Sequence, residues 1–232
     1  MPERVRPLEG RARWTVIALV AVIVADLLAI GSDWLEVDLM NRVIDGEDVA
    51  LSELDSNDNR QAGAAILVLT AYLVAVVFFI RWFHAAYANL RALGHADLRF
   101  GTGWAIGAWF VPFLNLWRPK QIANDIWRGS DPQTPEQDAA WKNGAVPTFV
   151  DLWWAAWIVA TFVGNFAFRA WFTTDTAEEI RTATYADIAS LVLDIVAAAL
   201  AIVVVRRLTA RQSERVRRLP LIEGAGATMQ PA

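Results

Sequence analysis

Residues 64–83 read AAILVLTAYLVAVVFFIRWF, an apolar run whose only charged side chain is Arg81. A helix rises about 1.5 Å per residue, so a run of this length spans the roughly 30 Å hydrocarbon core of a bilayer. Three further apolar stretches of similar length occupy residues 14–30, 147–168 and 187–205. The sequence therefore predicts an all-α integral membrane protein, a bundle of four spanning helices.

The composition supports a membrane protein over a soluble domain. Hydrophobic residues make up 56% of the 232 residues, above the roughly 45–50% of soluble domains. Cysteine is absent from the sequence, which excludes disulfides and cysteine-ligated metals.

The positive charges indicate the orientation. Of 21 Lys and Arg residues, four precede the first stretch, seven lie between residues 81 and 142, and six follow the fourth stretch. The remaining four alternate with these groups along the chain: Arg42, Arg60, Arg169 and Arg181. Loops rich in Lys and Arg stay in the cytoplasm. We therefore expect a multi-pass protein of the bacterial inner membrane with both termini in the cytoplasm.

Charge also limits the partners. Residues 32–63 carry nine acidic residues against two arginines, so we expect a solvated acidic loop there and no binding of nucleic acid. The basic cytoplasmic segments are suited to anionic membrane lipids. The sequence also leaves open whether the chain binds a protein partner or a second copy of itself.

A shorter apolar segment lies between spans two and three. Residues 104–117 read WAIGAWFVPFLNLW, and 14 residues of helix reach only about 21 Å. A fifth span here would also place the C-terminal arginines outside. We expect a re-entrant or interfacial helical element, continued from Pro119 by an amphipathic helix, so that the whole element covers about residues 104–128.

Local signals indicate where helices and the domain end. Gly94 is expected to terminate the second helix. Thr176 and Glu179 have capping-box spacing, so the fourth helix is expected to begin near residue 177. The sequence predicts a single membrane domain over residues 1–218 and a disordered tail over 219–232.

Polar residues inside the spans form the first candidate site. Ionisable groups are costly there and are functional candidates by default. Asp26 shares a helix face with Asp33, as does Asp194 with Asp187. The candidate polar cluster is Asp26, Thr70, Asn165, Arg169 and Asp194. It could exchange a proton or bind a cation through Asp26 and Asp194, or it could lock the helices together.

Several motifs between Trp82 and Trp157 resemble a known family. They are WF at 82–83, AYANLRALG at 86–94, GWAIG at 103–107, FVPFLNLWRP at 110–119, IWR at 126–128 and WWAAW at 153–157. They are similar to bacterial membrane proteins that share domain of unknown function 4328. The resemblance implies a polytopic membrane protein and carries no catalytic residue over to this chain.

The family-like block supplies the second candidate site, on the cytoplasmic face. Its members are Asn89, Arg91, Trp104, Asn115, Trp117, Arg118 and Gln121. They could bind a ligand or partner. Alternatively, they satisfy the broken backbone of the short element, which needs polar partners at membrane depth.

Catalytic signatures are absent from the sequence. It contains two histidines and no GxSxG, HExxH or phosphate-binding glycine loop. We therefore expect no catalytic residue, metal or cofactor, and a non-enzymatic interaction or regulatory component of the inner membrane. The alternative is a small oligomeric transporter or channel subunit that uses Asp26 and Asp194.

Overall fold

The computed structural model describes residues 5–95, 97–133 and 139–227, with side chains described in these ranges except at 139, 140, 173 and 219–227. Within them the chain is helical and contains no β-strand. The α-helices are α1 (Glu9–Ile44), α2 (Leu51–Ala92), α3 (Trp104–Gly107), α4 (Arg118–Gly129), α5 (Thr148–Ala170) and α6 (Ala177–Ala227). Short 3-10 turns occupy Leu114–Leu116, Ala139–Asn143 and Trp171–Thr173.

Four of these helices are long and apolar enough to cross a membrane: α1, α2, α5 and α6. This confirms the predicted all-α, four-span architecture. Only 6% of the most apolar stretch of α2 is buried within the protein, against 44% for α1. The apolar side chains of α2 are therefore available to face lipid.

The first two helices extend well beyond their apolar stretches. α1 continues to Ile44 and α2 begins at Leu51, so residues 45–50 connect them. The prediction of a long acidic loop over residues 32–63 is therefore wrong. Polar side chains of the two helices bond to each other, as Gln61 does with Ser32 at 3.1 Å, and this lets the acidic segment stay helical.

The predicted helix ends are confirmed. Gly94 follows α2 with a φ of 90°, and the backbone N–H of His95 donates to Leu90 O at 3.0 Å. Such a left-handed residue after a helix favours glycine. Before α6, Glu179 Oε2 accepts from the N–H of Thr176 at 3.0 Å, while Glu179 N–H donates to Thr176 Oγ1 at 3.3 Å.

The C-terminal helix is longer than the sequence predicts. α6 is described to Ala227, beyond residue 219 where the tail was expected to begin. Residues 228–232 lie outside the described ranges, and the tail stays a prediction.

Contacts divide the predicted single membrane domain into two packing units. Unit 1 comprises the described residues within Met1–Val16, Val77–Asp151 and Val203–Ala232. Unit 2 comprises Ile17–Val76 and Leu152–Ile202.

Unit 1 has a core of large side chains. Phe83 stacks on Phe79 at 5.8 Å between ring centroids, and Trp109 meets both rings edge-on at 5.7 and 5.6 Å. The fully buried side chains of this unit include Trp82, Tyr87, Leu90, Ile122, Ile126 and Leu208. Family-like motifs thus form much of this core.

Unit 2 has a core of small side chains instead. Its buried residues include Ala18, Ala25, Ala29, Ala160, Ala167, Ala183, Ala197, Ala198 and Ala201. A Cβ on Gly164 of α5 would lie 3.4 Å from Ser190 Oγ of α6. Small residues let membrane helices approach closely.

Candidate functional site

Five acidic side chains of α1 and α6 are buried or half-buried in unit 2, and we call them the acidic lane: Asp26, Asp33, Glu36, Asp187 and Asp194. The three on α1 are 1–4% exposed, and Asp187 and Asp194 of α6 are half-buried. Asp26 and Asp33 are two helical turns apart, about 10 Å along the axis. Asp187 and Asp194 have the same spacing, so the acids form two parallel rows.

Glu36 is the fully bonded member of the lane. Its Oε1 accepts from Asn57 Nδ2 at 3.1 Å, and its Oε2 accepts from Gln61 Nε2 at 3.0 Å and Thr184 Oγ1 at 2.9 Å. These three neutral donors come from α2 and α6. Glu36 therefore joins three helices of unit 2.

Asp26 and Asp33 are bonded much less well. The Oδ2 atom of each is buried and has no hydrogen-bond partner among the described residues. Asp26 interacts electrostatically with Asp194 and Asp187 of α6. Within the described ranges no Lys or Arg forms an ion pair with Asp26, so its charged neighbours there are other carboxyl groups.

Arg60 is the cation associated with the lane. It interacts electrostatically with Asp33. Its Nε donates to Ser32 Oγ at 3.1 Å, and its Nη2 donates to Asn57 Oδ1. Arg60 therefore lies at the Glu36 end of the acidic lane, away from Asp26.

The structure brings together only part of the first predicted cluster. Asp26 and Asp194 both lie in the acidic lane. Thr70 is exposed and donates to Ile66 O of its own helix at 2.7 Å. Asn165 is exposed and donates to Thr161 O at 2.7 Å, and Arg169 is exposed as well. Across the part of the chain that the structure describes, no three His, Asp or Glu side chains are placed to share a metal ion.

The bonding partners of Glu36 were missed from the sequence. Asn57 and Gln61 fall in the segment read as a loop, although their spacing of four residues is that of one helix face. Thr184 falls before the apolar stretch of the fourth span. The four-residue spacing of Asn57 and Gln61 was the available signal, and nothing in the sequence connected Thr184 with Glu36.

In unit 1, Asn89 belongs to a saturated network of hydrogen bonds. Its Nδ2 donates to Gln212 Oε1 and Arg6 O, each at 2.9 Å, and its Oδ1 accepts from Arg6 N–H at 2.8 Å. Gln212 Nε2 donates to Ala86 O at 3.1 Å and Ser130 Oγ at 2.9 Å. Asn89 is thus committed to internal bonds.

Arg118 has a different environment from Asn89. Its guanidinium carbon lies 4.0 Å from the Trp104 ring centroid and 4.8 Å from that of Phe100. Its Nε is buried without a hydrogen-bond partner in the described residues. Two aromatic rings therefore hold this cation.

The segment Trp104–Trp117, which we call the aromatic segment, is mostly irregular. It contains the one-turn helix α3 and the 3-10 turn Leu114–Leu116. Phe110 is 67% exposed and Phe113 75% exposed. Whether the segment re-enters the membrane or lies on its surface stays a prediction.

The other members of the second set are scattered. Arg91 and Trp117 are exposed, while Asn115 and Gln121 are half-buried. Within the second candidate site, the guanidinium of Arg118 contacts the ring of Trp104.

Asp125 of α4 was missed from the sequence. It is 0% exposed, and neither carboxylate oxygen has a hydrogen-bond partner in the described ranges. Arg99 Nε lies 3.3 Å from its Oδ2. Burial raises the pKa of Asp125 to about 6, opposed by the positive charges of Arg99, Arg128 and Lys142.

The comparisons with known proteins identify one family. A family model described as a domain of unknown function, DUF4328, matches residues 45–210. The match covers more than half of the chain and includes all the motifs on which the resemblance rests. No curated protein and no solved structure matches the chain.

Proposed function

This chain belongs to the DUF4328 family, and we propose that it is a non-enzymatic protein of the bacterial inner membrane that moves protons along the acidic lane. The proposal rests on the surroundings of Asp26. This residue is 1% exposed, its Oδ2 has no hydrogen-bond partner among the described residues, and it interacts with carboxyl groups of α6. A charged carboxylate is costly in such surroundings. Asp26 is therefore suited to take up and release a proton.

The spacing of the acids supports a relay. Asp26 and Glu36 are ten residues apart on α1, about 15 Å along the axis. Asp33 lies between them, and on α6 Asp194 interacts with Asp26 while Asp187 interacts with Asp33. Carboxyl groups spaced along an axis can pass a proton in steps, as acidic chains do in membrane pumps and transporters.

The bonding of Glu36 supports a defined end to this relay. Its three neutral donors hold the carboxylate without a full counter-charge. The charge distribution of the sequence supports an outside position for this end, with both termini in the cytoplasm. Four helices make a thin bundle, so the proposed unit is a small oligomeric transporter or channel subunit.

A flux measurement tests this function. The full chain is reconstituted in liposomes that contain a pH-sensitive dye, and proton movement is followed under a potassium-diffusion potential. Asp26→Asn should lower the rate at least about tenfold, because removing a relay group raises the barrier by more than about 1.4 kcal/mol. Asp38→Asn is the matched control, since Asp38 is an exposed acid on the same helix.

The outcomes are clear-cut. Loss of flux in Asp26→Asn and not in Asp38→Asn supports the proposal, provided that both variants unfold at the wild-type temperature. Wild-type liposomes that move no more protons than empty ones contradict it. Equal rates for wild type and Asp26→Asn also contradict it.

The second candidate is an interaction or regulatory component that moves no ion. The exposed side chains of the aromatic segment favour it, because large apolar groups on a surface mark interaction sites. Photo-crosslinking from position 110 in native membranes tests it, with position 166 of α5 as the exposed control. A discrete adduct specific to position 110, together with absent flux, is the expected result. Identical labelling from both positions would reject it.

A further inference from the structure

We infer that unit 1 binds the headgroup of one anionic phospholipid at Arg118, with the aromatic segment in the adjoining membrane interface. Arg118 is held between Trp104 and Phe100 at 4.0 and 4.8 Å. A guanidinium that stacks on aromatic rings keeps its planar edge for an anion, and it matches phosphate with two parallel hydrogen bonds. The two rings therefore preorganise Arg118 for a phosphate group.

Neighbouring basic residues are already neutralised. Arg99 lies 3.3 Å from Asp125, and Lys120 lies 2.7 Å from Asp151. Among the described residues, no carboxylate forms an ion pair with Arg118. Its charge is thus available to a ligand.

The start of α4 adds to the positive field. α4 begins at Arg118, and its N-cap residue Trp117 makes no side-chain cap. The helix dipole favours an anion at such an end, although Pro119 contributes no backbone N–H.

Phe113 is held in a costly conformation with its ring outward. Its φ is 65° and its ψ is −43°, and its side chain is 75% exposed. A bulky residue in such a sparsely populated backbone region is strained. Packing within unit 1 does not account for an exposed ring, whereas contact with an apolar environment outside the protein does.

The packing of Trp109 indicates that this environment is lipid. Trp109 contacts Phe79 and Phe83, which lie at the end of the apolar stretch of α2. The aromatic segment is thereby attached to the place where a spanning helix leaves the hydrocarbon core. Aromatic side chains are favoured at this depth, and a soluble anion would leave Phe110 and Phe113 in water.

Lipid binding is measured on the full chain in a mild detergent by native mass spectrometry. The probes are dioctanoylphosphatidylglycerol, dioctanoylphosphatidylcholine and inorganic phosphate. We expect one phosphatidylglycerol to bind at least tenfold more tightly than phosphatidylcholine or phosphate. Arg118→Gln should weaken phosphatidylglycerol binding about tenfold or more, because it removes the charged hydrogen bonds to the phosphate.

Two further variants complete the experiment. Arg81→Gln makes the same charge change at an exposed position of α2 and should leave the affinity within about twofold. Phe113→Gly suits the positive φ and should preserve folding, so it tests the apolar contact even if Arg118→Gln fails to fold. It should weaken binding of phosphatidylglycerol and leave that of phosphate unchanged.

Three results would overturn the inference. One is an equal loss of binding in Arg81→Gln and Arg118→Gln, which indicates a diffuse charge effect. Another is equal binding of the two lipids. The third is phosphate binding as tight as that of phosphatidylglycerol with no effect of Phe113→Gly, which indicates a soluble anion. None of these results depends on proton flux.

Discussion

Asn89 of α2 and Gln212 of α6 are joined by a hydrogen bond of 2.9 Å between Nδ2 and Oε1, and each side chain is only 1% exposed. The pair connects three further parts of unit 1. Asn89 bonds both backbone groups of Arg6, and Gln212 reaches Ala86 O and Ser130 Oγ. Since every polar atom of the two side-chain amides has a partner, the pair is a polar centre for this unit.

Gln212→Leu should destabilise unit 1 by about 3 kcal/mol. It leaves Asn89 Nδ2, Ala86 O and Ser130 Oγ each without one bond, and an unsatisfied buried polar group costs about 1–3 kcal/mol. Thermal unfolding in detergent measures the change. Gln133→Leu is the control, because Gln133 is exposed. Equal melting temperatures for the two variants would refute this account of the amide pair.

Gly129→Ala should destabilise unit 1 by about 1–3 kcal/mol, the usual cost of overpacking a core. A Cβ at position 129 would lie 2.8 Å from Leu90 Cδ2 and 3.3 Å from His95 Cδ2, and both of those side chains are buried. Gly63→Ala is the matched control on α2, where nothing lies within 4 Å. It should stabilise the helix by about 0.5–1 kcal/mol. The two substitutions are compared by urea unfolding, and a change of the same sign in both would contradict the prediction.

The free energy of unfolding should fall as pH rises from about 4 to about 6, because of Asp125. Its pKa in the folded protein is raised by burial from 3.8 to about 6. Between these values the folded state binds more protons than the unfolded state, so stability is greatest below pH 3.8 and is lost as pH rises through 6. A shift of about two units corresponds to about 3 kcal/mol.

Asp125→Asn should remove this part of the pH dependence, because the amide does not ionise. Unfolding measured at intervals from pH 4 to pH 8 gives the slope. Asp97→Asn is the control, since the Asp97 side chain is 90% exposed. An unchanged slope in Asp125→Asn would show that another group causes the dependence.

Thr184→Val should destabilise unit 2 by about 1–2 kcal/mol. It removes a hydroxyl that lies 2.9 Å from Glu36 Oε2 and 2.8 Å from Ile180 O of its own helix, and it keeps the shape of the side chain. Thr182→Val is the control, because Thr182 is exposed and bonds only Glu178 O of its own helix. The control should change stability by less than about 0.5 kcal/mol. Differential scanning calorimetry measures the stability of both variants. Similar losses of stability in the two would argue against a structural role for Glu36.

Helix ends were predictable because their signals are local. Gly94 ends α2 through its own backbone freedom, and Thr176 and Glu179 cap α6 within a single turn. Pro119 likewise predicted α4 within one residue of its observed start. The extension of α1 and α2 through residues 32–63 was not predictable from hydropathy, because polar partners between the two helices stabilise it.

The candidate sites were predictable only in part. Asp26 and Asp194 were singled out because charge inside an apolar run is unusual anywhere along a helix. The structure places Asn165 and Arg169 on exposed surfaces and brings Glu36, Asn57 and Thr184 together. Sequence spacing gives the face of a helix on which a residue lies, but it does not show which face a neighbouring helix covers.

The sequence by itself determined that four apolar helices alternate with segregated charge, because the length and hydropathy of a span are properties of a continuous stretch. It also determined the family, through motifs that lie close together in the chain. Only the tertiary structure decided that Arg118 lies between Trp104 and Phe100, and that Asp26 lacks a cation in the described residues. These relations depend on the rotation of each helix and the path of each loop, which are set by packing between residues far apart in the sequence.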